Sequence, residues 1–226
     1  MDIRRNIATY LAGDGSRGGL QPTERYASFD YCYNYFQAFR EQGRVRELAA
    51  PEHIQASCLQ LGFYLASWGM LRATSFLLQK SAKHYEPLIR ELATFPAAIW
   101  NIDVDRYTDA TISLIHDCER MIVRAIGQGR RVTITLVTKI MLGIFGNVPA
   151  FDSYFKQGFG VTTLSAGSLR RIARFYQEYQ VVFDTCQIHT IDFASGQPTH
   201  RLYPKAKLID MACFIEGSRR PRAEEQ

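Results

Sequence analysis

LVTKIMLGIFGNVPAFDSYF, residues 136–155, decides how the rest of the chain is read. Val132, Thr133, Ile134 and Thr135 lead into it and are β-branched, as a strand would prefer. Lys139, Ile140, Met141 and Leu142 then make helix the better reading for 132–145. Gly146 and Asn147 break that helix, Pro149 follows, and Asp152 stands at the N-cap of a short helix over 152–159. A cation and a carboxylate on either side of a tight turn form a candidate site. A lysine in apolar company reaches for solvent, pairs with an acid, or is desolvated into a nucleophile, and pairing is the commonest of the three. For Asp152 the plainer reading is a helix cap worth about 1 kcal/mol. The functional one is a carboxylate presented on a rigid turn beside a basic cleft.

On the N-terminal side, five aromatics, Tyr26, Phe29, Tyr33, Phe36 and Phe39, recur at spacings of three and four. They share one face of a helix that Thr23 would cap and that runs to about Gln42. Such a stripe is a core face before it is a base-stacking surface. Residues 53–71 contain no Asp, Glu, Lys or Arg. With Gln55, Gln60, Gly62 and Gly69 inside it, this run reads as a buried core helix rather than a membrane span. Gly62 and Gly69 suggest close helix–helix approach or a bend at Trp68. A shorter helix covers 84–95, and a long one runs from about Arg106 to Ile126 with Ile112, Ile115, Cys118, Ile122 and Ile126 on one side.

On the C-terminal side, Ser168 is the expected cap of an amphipathic helix to about Phe183. Residues 184–203 read as polar and irregular, and Pro204 starts a closing helix, PKAKLIDMACFIEG. The pattern is all-α, a single multi-helix globular domain. It divides into an N-terminal arm with a glycine-rich loop (1–22), a helical domain (23–217) and a charged, frayed tail (218–226).

The 226 residues carry a net charge of +5, which permits DNA as a partner without requiring it. Five widely spaced cysteines without a CxxC argue against a disulfide scaffold and for a reducing cytosol. The first residues, MDIRRNIATYLAG, lack the long apolar run of a secretory signal. His116 and Cys118 do not share a helix face, and Cys186 and His189 lack two further ligands, so no metal site and no cofactor are expected. No P-loop, HExxH or GxSxG motif occurs. Arginines cluster at Arg130 and Arg131, at Arg170, Arg171 and Arg174, and at Arg219, Arg220 and Arg222. They would track a phosphate backbone if they converge, and otherwise are solvated helix ends.

FYLASWGMLR, VTKIMLGIFGNVPAFDSYF and KLIDMACFIEG resemble segments of an all-helical bacterial family to which no activity attaches. Residues 110–160 resemble, more distantly, the core of the helix-hairpin-helix DNA glycosylases. There a hairpin feeds a helix, a short turn follows, and a Pro-x-x-Asp element opens the next helix, as Pro149-Ala150-Phe151-Asp152 does. The hairpin itself departs from the family's Leu-Pro-Gly-Val-Gly pattern, since GQGRRVTITLVTK stands in its place. The family's lysine falls near Thr135, one turn before Lys139 on the same face. The resemblance implies base excision from DNA, with a flipped nucleotide entering a cleft between helical lobes. Asp152 would stabilise the sugar cation or orient water, and Lys139 would assist or attack the anomeric carbon. Arg130, Arg131 and the arginines at 170, 171 and 174 would hold phosphates, and Trp68 or a tyrosine would stack on the base. The alternatives are a non-catalytic helical module that binds nucleic acid by charge, and a protein-interaction module in which Lys139 and Asp152 are a structural pair.

Overall fold

A computed structural model describes residues 1–13, 15 and 18–219. Ten helices account for most of them: α1 (Ile3–Ala12), α2 (Ala27–Glu41), α3 (Ile54–Ser67), α4 (Glu86–Thr94), α5 (Asp109–Gly127), α6 (Ile134–Phe145), α7 (Ser153–Phe159), α8 (Ala166–Glu178), α9 (Gln180–Asp184) and α10 (Lys205–Ser218). Short 3₁₀ turns join several of them, and two strands, β1 (His189–Ile191) and β2 (Pro198–Leu202), form an antiparallel hairpin. The fold is all-α, as the periodicity predicts. One continuous apolar core runs from Ile3 to Ile215.

The centre of that core is α6. Every residue from Leu136 to Phe145 is buried, as expected of a helix with no polar face. It packs against α2, α3 and α5. The closing helix α10 is nearly as deep, and α1 lies along it. Ile3, Ile7 and Tyr10, in the segment read as an arm, are buried, and the Asn6 amide donates to the Ala212 carbonyl at 3.1 Å. Part of the glycine-rich loop (residues 14, 16 and 17) and most of the charged tail (220–226) lie outside the described residues, and with them Arg220 and Arg222.

Helix ends differ from the sequence reading for local reasons. Turns with Glu24 N–H bonded to Gln21 O (2.9 Å) and Ala27 N–H to Glu24 O (3.1 Å) precede α2, so it opens at Ala27 and Thr23 does not cap it. Helix α3 stops at Ser67 because Gly69 turns left-handed, at φ 74°. The Gly69 N–H then reaches Ala66 O at 2.9 Å and the Met70 N–H reaches Leu65 O at 2.8 Å, a Schellman stop that leaves Trp68 at the C-cap. This helix is not buried all round as expected, since Leu59 is 50% and Phe63 70% exposed. Ser165, not Ser168, caps α8, accepting the Ser168 N–H at 3.2 Å. The expected single helix to Phe183 breaks at Tyr179 into α8 and α9.

Residues 184–203, read as irregular, contain the hairpin. Two strands alone are marginal in water. Here α2 holds them: Asp30 accepts the Ile191 N–H at 2.8 Å, and the Asn34 amide donates to Ile191 O at 3.0 Å.

Candidate functional site

Asp152 caps α7, accepting the Phe155 N–H at 2.9 Å through Oδ1. Its other oxygen faces Lys139 Nζ at 3.3 Å. The two side chains are 15% and 4% exposed. The pair is set by three clamps on the turn between the helices. Thr138 Oγ1 accepts the Phe151 N–H at 2.8 Å, Thr135 donates to Phe151 O at 2.8 Å, and Asp210 accepts the Ala150 N–H at 3.0 Å. Two threonines one turn apart on α6 thus pin the residue preceding Asp152, and the carboxylate has little freedom to leave the lysine.

A second pair lies beside the first. Lys207 Nζ stands 3.2 Å from Asp210 Oδ2 and 3.0 Å from Tyr10 Oη, and its side chain is 1% exposed. Burial pushes the Lys207 ammonium below its ordinary pKa, opposed by Asp210. Burial pushes the Asp210 carboxyl up, opposed by Lys207. Trp68 covers both amines, its ring centre 4.9 Å from Lys139 Nζ and 5.1 Å from Lys207 Nζ. Tyr26 lies parallel to Trp68 (5.5 Å, 4°), and Tyr10 stacks on Tyr26 (4.1 Å, 11°). Phe214 meets all three rings edge-on. The Arg25 guanidinium sits 5.2 Å from the Trp68 ring. A groove of about 640 Å³ is lined in part by Arg25, Tyr31, Phe63, Ser67 and Phe193, of which Arg25 and Ser67 are the chain neighbours of Tyr26 and Trp68.

The structure therefore brings Lys139, Asp152 and Trp68 together. It does not gather the arginines around them. Arg170 bonds Asp109 at the first turn of α5 (2.7 Å), whereas Arg130 and Arg131 follow the last turn. With 19 residues in α5, about 27 Å separate these ends. Arg171 is spent on the carbonyls of Phe159 and Gly160, at 3.2 and 2.9 Å. Arg130 lies 5.8 Å from the Phe76 ring, and Arg174 is exposed. Among the described residues no group of three or more His, Cys, Asp or Glu side chains is arranged to hold a metal ion. No described helix is long and apolar enough to cross a membrane. All five cysteines are free thiols.

Sequence reading missed Lys207, Asp210 and Tyr10. The available signal was two charges three residues apart, Lys207 and Asp210, in a run that is otherwise apolar as far as Ile215. Asp30 was missed as well. It is buried on α2, accepts the Tyr203 hydroxyl at 2.6 Å, and faces Lys207. Burial raises it to about 7, against the lowering effects of Tyr203, the Ile191 N–H and Lys207. A carboxyl raised on folding contributes stability below its unfolded value, and that contribution is lost as pH climbs through the folded one. The stability of wild type relative to Asp30→Asn is accordingly expected to fall between about pH 4 and pH 7, by at most about 1.4 kcal/mol per pH unit. Urea unfolding of both proteins across that range checks this, and a constant difference contradicts it.

Comparison with protein-family models, with curated proteins and with solved structures gives no match for this chain.

Proposed function

We propose that the chain is a DNA-binding protein of the helix-hairpin-helix glycosylase type, acting on an extruded base at Lys139 and Asp152. The supporting observation is the confined pair itself: an amine 3.3 Å from a clamped carboxylate, with an indole face over the amine. Proton transfer from Lys139 to Asp152 frees the nitrogen lone pair. The amine then bonds to the anomeric carbon as the glycosidic C–N bond breaks, and the base leaves with the bonding electrons and takes up the proton that Asp152 had accepted, which restores the carboxylate. Asp152 faces the carbon on which positive charge develops. Trp68 offers a flat apolar surface for the base. Lys139 is nearly closed off, so substrate enters as Trp68 moves aside. That residue sits where α3 ends, and the loop beyond it holds Gly69 and Ala73 at positive φ (74° and 50°).

Borohydride trapping on oligonucleotides carrying a panel of damaged bases tests the lysine. Wild type is expected to form a covalent adduct and Lys139→Gln none. Abasic-site formation tests the aspartate, with Asp152→Asn expected to be at least about 100-fold slower. Absence of any adduct, together with equal abasic yields from wild type and Asp152→Asn, rules the reading out.

Burial favours a second reading. A buried ion pair joining α6 to the cap of α7, beside a second within α10, also suits a non-catalytic module that binds nucleic acid by charge, or a protein partner. Salt-dependent DNA binding without product would select the charge-binding form.

A further inference from the structure

We infer that the cleft at the far end of α2, around Arg40, Trp100, Asn101 and Arg106, binds the phosphate of a nucleotide. It is separate from the lysine–aspartate site. Tyr26 precedes α2 and Arg40 lies near its end, so about 21 Å of helix stands between them. Two adjoining cavities, of about 790 and 250 Å³, share Arg40, Trp100 and Asn101.

The charges in this cleft are unevenly compensated. Among the described residues Arg40 donates only to neutral groups, Gln37 Oε1 at 3.3 Å and Asn101 Oδ1 at 2.6 Å. Arg106 reaches the backbone carbonyl of the same Asn101, at 3.3 Å. Arg46 lines the larger cavity, is exposed, and has no hydrogen-bond or ion-pair partner among the described residues. The nearby carboxylates are already engaged. Glu41 takes a two-pronged contact from Arg201, at 2.9 and 2.6 Å. Asp103 accepts the backbone N–H groups of Val104, Lys205 and Ala206, and Asp105 pairs with Lys205. Two guanidinium groups from different segments thus meet at one residue beside a concavity, with a third at its rim, while Glu41 and Asp105 are paired with Arg201 and Lys205 and Asp103 is held by backbone N–H groups.

A guanidinium fork matches two oxygens of a phosphate, and three such groups suit a dianion or a diester. Apolar groups make up much of the rest of the larger cavity, including Val45, Phe95, Pro96 and Trp100. They would face the sugar and base that a phosphate carries. The Trp100 indole N–H is buried with no acceptor among the described residues. A free mononucleotide and a DNA strand offer the same phosphate chemistry.

The chain has two tryptophans, so Trp68→Phe leaves Trp100 as the sole indole reporter. In that background the Trp100 emission is titrated with a nucleoside 5′-monophosphate, with short single-stranded DNA and with inorganic phosphate. Sodium chloride and sodium acetate at matched ionic strength serve as controls. Phosphate-bearing probes are expected to give a saturable change that the controls do not. Arg40→Gln/Arg106→Gln is expected to weaken binding at least about 10-fold. Arg46→Gln, altered only at the surface, is expected to weaken it about threefold. Asp152→Asn is expected to bind unchanged, which separates this site from the one proposed for catalysis. Saturation by the mononucleotide alone identifies a free ligand; DNA that competes with it identifies a strand. No saturable change with any phosphate probe, acetate binding as tightly as phosphate, or unaltered affinity in both arginine variants overturns the assignment.

Discussion

Asp210→Leu is expected to lower the unfolding free energy by about 3–5 kcal/mol, the usual result of removing one partner from a buried ion pair. Lys207 would be left 1% exposed, with the Tyr10 hydroxyl as its one remaining hydrogen-bond partner among the described residues and Asp30 as the one carboxyl facing it. The Ala150 N–H would lose its acceptor, releasing one of the three clamps on the turn before Asp152. The pair itself contributes far less than this figure, because desolvating two charges offsets most of their attraction. Lys207→Met/Asp210→Leu should therefore recover much of the loss, since both charges leave together. Urea unfolding of wild type, the single variant and the double variant measures this. A single variant within about 1 kcal/mol of wild type, or a double variant less stable than the single, contradicts it.

The second large effect is steric. Helices α7 and α10 cross where two glycines meet. A Cβ on Gly158 would lie 2.0 Å from the Cys213 carbonyl oxygen, and one on Gly217 would lie 1.9 Å from that of Tyr154. Both obstacles are backbone, which no rotamer change can move. Glycine to alanine within a helix ordinarily stabilises by up to about 1 kcal/mol. Here Gly158→Ala must separate the helices, and a loss of about 3 kcal/mol or more is expected, at the upper end for overpacking. Gly167→Ala on α8 is the control, because its nearest obstacle is Ser165 Oγ at 3.8 Å. Helix α7 begins at the Asp152 cap, so Gly158→Ala should also slow any chemistry that uses Asp152. Thermal unfolding together with the trapping assay reads both effects, and a Gly158→Ala protein as stable as the Gly167→Ala control contradicts the crossing.

What could be read from the chain follows the range of the forces involved. The all-helical fold, the stop at Gly146, the cap at Asp152 and the buried face of Phe29, Tyr33 and Phe36 all rest on neighbours within a turn or two. The hairpin does not. Its anchors, Asp30 and Asn34, lie about 160 residues away in sequence, and nothing within 184–203 announces them. The glycines point the same way. Gly62 and Gly69 suggest close helix approach or a bend at Trp68; Gly62 does face the Tyr85 ring, where a Cβ would lie at 3.0 Å, and Gly69 makes the turn that ends α3 after Trp68. The tightest crossing, however, belongs to Gly158 and Gly217, on helices that only the fold brings together. Lys139 was legible as a lysine in need of an acid, and Asp152 as a cap. That one answers the other depends on the threonine clamps. The second lysine–aspartate pair and the arginines around Asn101 needed three dimensions, since convergence is not written in spacing.

From Leu136 to Phe145 helix α6 has no face toward water, and this bears on how the molecule opens. Its amide protons are shielded on every side, so local fraying gives them no route to solvent, and their exchange follows the unfolding of the whole domain. Lys139 stands in the middle of that helix. Its amine meets the Trp68 ring just past the end of α3, while its backbone lies in the most deeply buried helix, so one side-chain contact links the rim of the candidate site to its core. A ligand that binds anywhere on the folded chain should slow exchange along α6 in proportion to its occupancy, without touching it.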